Sequence, residues 1–368
     1  MLSSLPKLAD RAFVLGALLP SLLFGVTVLF LFCDQPPASL IIDAFAGKDI
    51  GKAIYLLLAL WAFAILISMF NLPLYRFLEG YTFPKWLANL LKRRHRKRLK
   101  GAQGEIKALY DLWAEKGPKF PHDKLERYMT ARWNLVQWMP SQEQDILPTR
   151  FGNAIRAFEV YSRDIYGAES IVIWLRLVTV LPRSFLQLVQ DARSQIDFLV
   201  NCCLFSVIIS LLGAARLICS ADWHKAQLPA HPKFSELIAT IEISWVFWIA
   251  GGLVAAYFFY VWAVSRVPAW GNLVMSAFDC YLPALAGQLG FNLPKTEAQR
   301  RIFWESLSQQ LIYGREPNGR LPFRVEDWEQ REVSRSPIGE PAGEKSDIER
   351  EIDANESEIE REESDAED

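Results

Sequence analysis

From Ala53 to Tyr75 the chain reads AIYLLLALWAFAILISMFNLPLY, and shortly afterwards it reads Lys92-Arg93-Arg94-His95-Arg96-Lys97-Arg98-Leu99-Lys100. The first stretch holds no Asp, Glu, Lys, Arg or His over 23 residues. A helix of about 20 residues, rising about 1.5 Å each, crosses a hydrocarbon core of about 30 Å. Three more uncharged apolar runs share this character: Ala12 to Cys33, Phe198 to Ala215 and Ile243 to Ser265, of 22, 18 and 23 residues. Arg216 can snorkel, which extends the third through Leu217 to Cys219. The pattern predicts an all-α membrane protein with four transmembrane helices, at about 12–33, 53–75, 198–219 and 243–265. The first run exceeds the roughly 7–15 apolar residues of a signal peptide, so it reads as a retained anchor; a cut after Ala44-Phe45-Ala46 is the alternative.

Lys and Arg set the orientation. Arg76 to Lys100 holds nine of them, whereas the loops Asp34 to Lys52 and Ser220 to Glu242 hold two Lys each. By the positive-inside rule the basic segment faces the cytosol, and four spans then place both termini there. The whole chain of 368 residues carries −2, but Arg331 to Asp368 alone has 15 acidic and 5 basic residues, so the rest carries +8. The chain therefore divides into a first membrane hairpin (1–75), a cytosolic helical domain (76–195), a second hairpin (196–266), cytosolic helices (267–330) and an acidic tail read as disordered (331–368). Thirteen Trp fit a protein with long membrane–water boundaries, and equally an aromatic-rich soluble core.

The uncharged runs argue against a transporter, which keeps ionisable groups near the midplane. They carry small residues at helical spacing instead. Cys202, Ser206, Ser210 and Ala214 form one stripe, and Gly251, Gly252, Ala255 and Ala256 another pair of stripes in the last span. Small stripes let helices approach closely in lipid, within one bundle or across an oligomer interface. Asn201 is placed to hydrogen-bond between helices, and Pro20 removes a backbone donor and should kink the first span.

The cytosolic middle reads as helical. Ile106, Leu109, Tyr110 and Trp113 make one amphipathic face, Gly117-Pro118 stops that helix, and Asp123 is a candidate cap for the next, with Leu125, Tyr128, Met129 and Trp133. In Leu147-Pro148-Thr149-Arg150-Phe151-Gly152-Asn153, Pro148 suits a first turn, and Arg156 and Glu159 can pair at i, i+3. Ile171 to Leu181 is too short to span and favours a buried or interfacial helix. After Leu181-Pro182 another helix runs through Asp191-Ala192-Arg193 into the third span.

The order LPTRxGNxxRAxE, YG, WxRLxxxLP and DARSxxD before a span resembles an uncharacterised family of bacterial multi-pass membrane proteins. Tyr75 to Tyr81 and Ala277 to Tyr281 look like parts of the same pattern, which covers most of 70–315. The chain departs from it at Leu175, where a Pro is expected. The resemblance implies a shared architecture and no activity.

Arg150, Asn153, Arg156 and Arg176 form a candidate anion site, because the guanidinium fork suits phosphate; the competing reading is a structural network with Glu159 and Asp191. Lys92, Arg93, Arg94, Arg96, Lys97 and Arg98 read first as a topology determinant against anionic headgroups of the lipid bilayer, second as a specific headgroup site. No nucleic acid is expected, since no recognition fold accompanies the charge. After the last span, Pro268 and Gly271 precede a separate apolar helix through Phe278 and Leu282. Thr296 and Gln299 then open another helix with Ile302, Phe303, Leu307 and Leu311, ended by Gly314.

Cys33 and Cys219 lie at equivalent ends of two spans and could form a disulfide. No zinc-type ligand spacing occurs, Asp222, His224 and His231 being read as solvated polar residues, and no cofactor motif stands out. Three functions remain open. The first is a non-enzymatic membrane protein whose cytosolic helices sense or dock something and transmit to the bundle. The second is an oligomeric channel or membrane-disrupting effector, and the third a membrane-bound enzyme acting on a phosphate-bearing or lipid substrate. The third lacks a GxSxG, HExxH or phosphate-cradling motif.

Overall fold

The computed structural model describes residues 11–32, 50–220 and 243–313, which fall in one compact unit, Met1–Phe323. Cys33, the side chain of Cys219, Asp222, His224, His231, Gly314 and the acidic tail lie outside the described residues. Among the described residues the regular structure is helical throughout. α1 starts as Arg11–Phe13, widens into a π-helical stretch, Val14–Leu18, and continues as Leu19–Phe32. α2 (Ile50–Glu79), α3 (Lys85–Lys116), α4 (His122–Trp138), α5 (Arg150–Tyr166), α6 (Ser170–Leu177), α7 (Arg183–Ser220), α8 (Ile243–Gln288) and α9 (Glu297–Tyr313) follow. Four of them are long and apolar enough to cross a membrane, over Arg11–Leu29, Ile54–Glu79, Arg183–Ile218 and Trp245–Gln288.

Two of these helices are much longer than a span. α7 has 38 residues and α8 has 46; at about 1.5 Å per residue, α8 is about 70 Å long, over twice a hydrocarbon core. The break expected at Pro268 and Gly271 is absent, and α8 runs through Pro268 and Pro283. An interior Pro costs a helix about 3 kcal/mol, and here packing offsets it: Val264, Val267, Val274, Met275, Phe278 and Leu282 on this same stretch are all buried. The boundaries read at 75/76, 195/196 and 266/267 each fall inside a helix.

One core serves both the four long apolar helices and the shorter helices packed on them. It joins Tyr75 of α2, Phe151, Ile155 and Phe158 of α5, Ile173 and Leu177 of α6, Ile196 and Val200 of α7, Val267 and Phe278 of α8, and Phe303 and Trp304 of α9. α9 opens as expected, with the Gln299 amide donating to Thr296 Oγ1 at 3.4 Å. Its inward residues are Phe303, Trp304 and Leu307, while Ile302 is exposed.

Pro20 acts on the helix before it. It has no N–H for the carbonyl of Gly16, four residues back, and α1 is π-helical over Val14–Leu18. Asn201 Nδ2 of α7 donates to that carbonyl at 2.7 Å. The interhelical bonder expected from sequence thus repairs the defect that the proline makes.

The small-residue stripes also meet. Cys202, Ser206, Ser210 and Ala256 are buried, Ser210 Oγ lies 3.0 Å from the Ile249 carbonyl, and a Cβ on Gly252 would come within 2.8 Å of the Ser206 carbonyl. Ala214 and Ala255 are half-buried, whereas Gly251 faces open space. The stripe on α7 is therefore occupied by α8 of the same chain.

Candidate functional site

The segment from Leu147 to Asn153 is a clasp on the end of α2. α2 closes with a Schellman turn: the Tyr81 amide donates to the Arg76 carbonyl, and Gly80 to Phe77, both at 3.0 Å. Gly80 takes φ +89°, and a Cβ there would stand 3.0 Å from Pro148. Thr149 is the N-cap of α5, its Oγ1 accepting from the Gly152 amide at 2.9 Å. The same hydroxyl donates to the Leu78 carbonyl at 2.6 Å, so one side chain caps α5 and ties it to α2. Gly152 sits where a Cβ would be 2.7 Å from the Glu79 carbonyl oxygen, a contact with backbone that cannot swing aside. Pro148 therefore lies before the cap rather than in the first helical turn. Asp123 likewise falls inside α4, which Pro121 precedes.

Asn153 is wholly occupied by this loop. Its Oδ1 accepts from the Leu147 amide at 2.8 Å, and its Nδ2 donates to the carbonyls of Leu147 and Thr149 at 2.9 and 2.7 Å. It is 1% exposed. No polar atom of that amide is left for a ligand.

The arginines are divided in the same way. Arg156 pairs with Asp145 at 3.2 Å and with Glu159 at 3.3 Å, the i, i+3 contact expected from sequence. Arg163 pairs with Asp145 at 2.5 Å and with Asp164 at 3.3 Å. Two guanidinium groups thus face three carboxylates, which leaves no surplus positive charge for an anion. Burial raises the Asp145 pKa, but hydrogen bonds and charge from Arg163 and Arg156 outweigh it and hold the carboxyl below its ordinary value. At Glu159 burial outweighs Arg156, and the pKa is raised. Arg176 sits on α6, donating to the Val172 carbonyl of its own helix at 2.8 Å, and Arg150 is exposed. Among the described residues neither Asp145 nor Glu159, the partners of Arg156, pairs with Arg150 or Arg176. Asp191 pairs with Arg11 at 3.5 Å, away from this network.

Two further polar ties hold the elements together. Tyr161 and Tyr166 both donate to Asp279 Oδ1, at 2.9 and 2.8 Å, which fixes α5 to α8; burial, then Asp279, pushes the Tyr161 hydroxyl up to about 12. Tyr75 donates to Asp197 Oδ1 at 2.7 Å, joining α2 to α7 where the apolar run begins, with Arg193 at 3.9 Å. Asp145, Arg163 and the Tyr75–Asp197 pair escaped the sequence reading because each partner lies in another element. The one available signal was Thr149, a capping residue before an apolar-periodic helix.

α3 rests on the clasp through His95, 6% exposed; Leu99, one turn on, is 0% exposed. Burial, then Arg98, Arg94 and Arg150, lower the His95 pKa against the opposing Pro148 carbonyl. Lys100 pairs with Glu143 at 3.1 Å. Beyond this foot the α3–α4 hairpin has an open groove of about 600 Å³, lined by Ala102, Leu135, Trp138 and Met139 with Arg98 and Arg127 among its polar residues. No group of three or more His, Cys, Asp or Glu suited to a metal occurs among the described residues. No family model, curated protein or solved structure matches the chain.

Proposed function

We propose that the chain is a non-enzymatic integral membrane protein whose helical domain faces the cytosol, docks a ligand or partner there, and is mechanically coupled to the membrane bundle. One observation carries the reading: α7 and α8 pass without a break from their apolar runs into the core of the helical domain, where α5 is clasped to the end of α2. A change at the domain has rigid helices through which to reach the bundle. The pairing of Arg156 and Arg163 with carboxylates favours a structural network over an anion-binding enzyme. The exposed Tyr110, Trp113, Met129 and Trp133 of the α3–α4 hairpin supply a face for docking. An oligomeric channel loses its main support, because the α7 stripe is filled by α8. A bacterial inner membrane with both termini cytosolic follows from the Lys/Arg asymmetry and the resemblance.

The test is hydrogen–deuterium exchange on the full chain in nanodiscs, comparing wild type with Thr149→Val. Coupling predicts faster exchange that spreads from the clasp into the adjoining ends of α2, α7 and α8. A rise confined to residues 145–160 would show that the clasp is only local.

A further inference from the structure

α3 carries an exposed stripe that the fold does not use. Its inward face is made by His95 and Leu99, both buried, with Leu91 and Ala102 half-buried beside them. Trp86, Leu90, Arg93, Arg94 and Lys97 follow at i, i+4, i+7, i+8 and i+11, so they share the outward face, and all five are exposed. Trp86 is 70% and Leu90 59% exposed. Among the described residues, none of the three cations has a carboxylate within ion-pair distance. The stripe is apolar where α3 starts and basic further along.

Its position follows from the chain. α2 ends at Glu79, α3 starts at Lys85, and the tight turn between them brings the Phe77 and Phe83 rings to 5.8 Å. Trp86 is therefore held close to the level at which α2 ends. Phe77 and Tyr81, each 53% exposed, lie at that level too. An exposed Trp and Leu at a membrane–water boundary, leading into uncompensated cations, match the layers of an anionic leaflet: acyl boundary first, then phosphate. A mere topology determinant requires the charge but not the Trp–Leu pair on the same stripe.

We infer that this stripe of α3 is a lipid-binding surface, with Trp86 and Leu90 entering the headgroup region and Arg93, Arg94 and Lys97 holding the phosphates of anionic lipids. The inference rests on the reading that α2 crosses the membrane. It narrows the six basic residues singled out from sequence to three: Lys92 and Arg96 are half-buried, and Arg98 lines the groove facing α4.

The experiment uses the full chain in nanodiscs of phosphatidylcholine with phosphatidylglycerol, followed by native mass spectrometry of the retained lipid. R93Q/R94Q/K97Q is compared with K107Q/K116Q/K119Q, which removes the same charge from the far end of the hairpin. The first variant should bind phosphatidylglycerol with an affinity lower by about a hundredfold, and the second should match wild type. Equal losses in both variants, or no loss in the first, overturn the inference. Displacement of the lipid by millimolar inorganic phosphate also overturns it, since the site would then bind free anion. A photo-crosslinking benzophenone residue at Leu90 should label lipid, with the same group at Leu57 in α2 as control. Label at Leu57 but not at Leu90 sinks this surface alone; label at neither sinks the membrane reading beneath it.

Discussion

α4 and α5 are both 17 residues long, yet α5 buries nine of its residues and α4 buries none. Both fall in the segment read as helical, α4 from the spacing of its apolar residues and α5 from Pro148 and the Arg156–Glu159 spacing. The difference lies in what each meets. α5 lies among α2, α4, α6, α8 and α9, so Phe151, Ile155 and Phe158 are enclosed in the core. α4 packs against α3 and α5 and touches α8, yet these neighbours enclose none of its side chains. Tyr110 and Tyr128 approach to 6.4 Å while Trp113, Met129 and Trp133 stay exposed. Amphipathic spacing thus reports a face that seeks contact, not a face that has found it.

Mutation should separate the two helices sharply. The largest effect is expected for Phe158→Ala, which empties a site packed against Trp270 at 4.9 Å and should cost about 3–5 kcal/mol; Trp133→Ala on α4 should change stability by under about 0.5 kcal/mol. Thermal unfolding of the full chain in detergent checks both, and equal shifts would break the contrast. Gly152→Val comes next, since its Cβ meets the Glu79 backbone; a loss of about 3 kcal/mol is expected. Gly101→Ala on α3 meets nothing within 4 Å and should stabilise by about 0.5–1 kcal/mol. Asn153→Ala removes three hydrogen bonds inside the clasp and should cost about 2–3 kcal/mol.

The smallest expected effects are in pH dependence, and they sharpen the comparison at the foot of α3. Asp145 has its folded pKa depressed, so its contribution is present above the ordinary value of 3.8 and fades as pH falls through the depressed one. Asp145→Asn should therefore flatten the acid limb of a stability–pH curve. His95 is also held low, from 6.5. As pH falls through 6.5 the unfolded chain takes up the proton first, so stability declines from there down to the folded value. His95→Gln should remove that shallow decline and leave the steeper one below it. A curve in which either variant parallels wild type throughout would rule out that residue's share.

Much of the clasp was visible in the sequence as a motif without a mechanism. Leu147 to Asn153 stood out by composition, and Thr149 has the character of a cap. What it caps against did not, because Leu78 and Glu79 lie about 70 residues earlier in the chain and offer only backbone atoms. Backbone carbonyls leave no trace in residue type. The same reason hid the proline repair in α1, where Asn201 reaches a carbonyl 185 positions away. The arginines were legible in part: the Arg156–Glu159 pair follows from i, i+3 spacing, while Asp145, which pairs with both Arg156 and Arg163, lies outside their helix.

By itself the sequence determined the four apolar runs, their helical character and the asymmetry of Lys and Arg around them, because length, hydropathy and charge are properties of contiguous residues. Only the tertiary structure decided that α8 continues through Pro268, that α5 is clasped to α2, and that Arg156 and Arg163 share Asp145. Those outcomes depend on packing and charge from distant segments, which can outweigh a local helix penalty or neutralise a local charge.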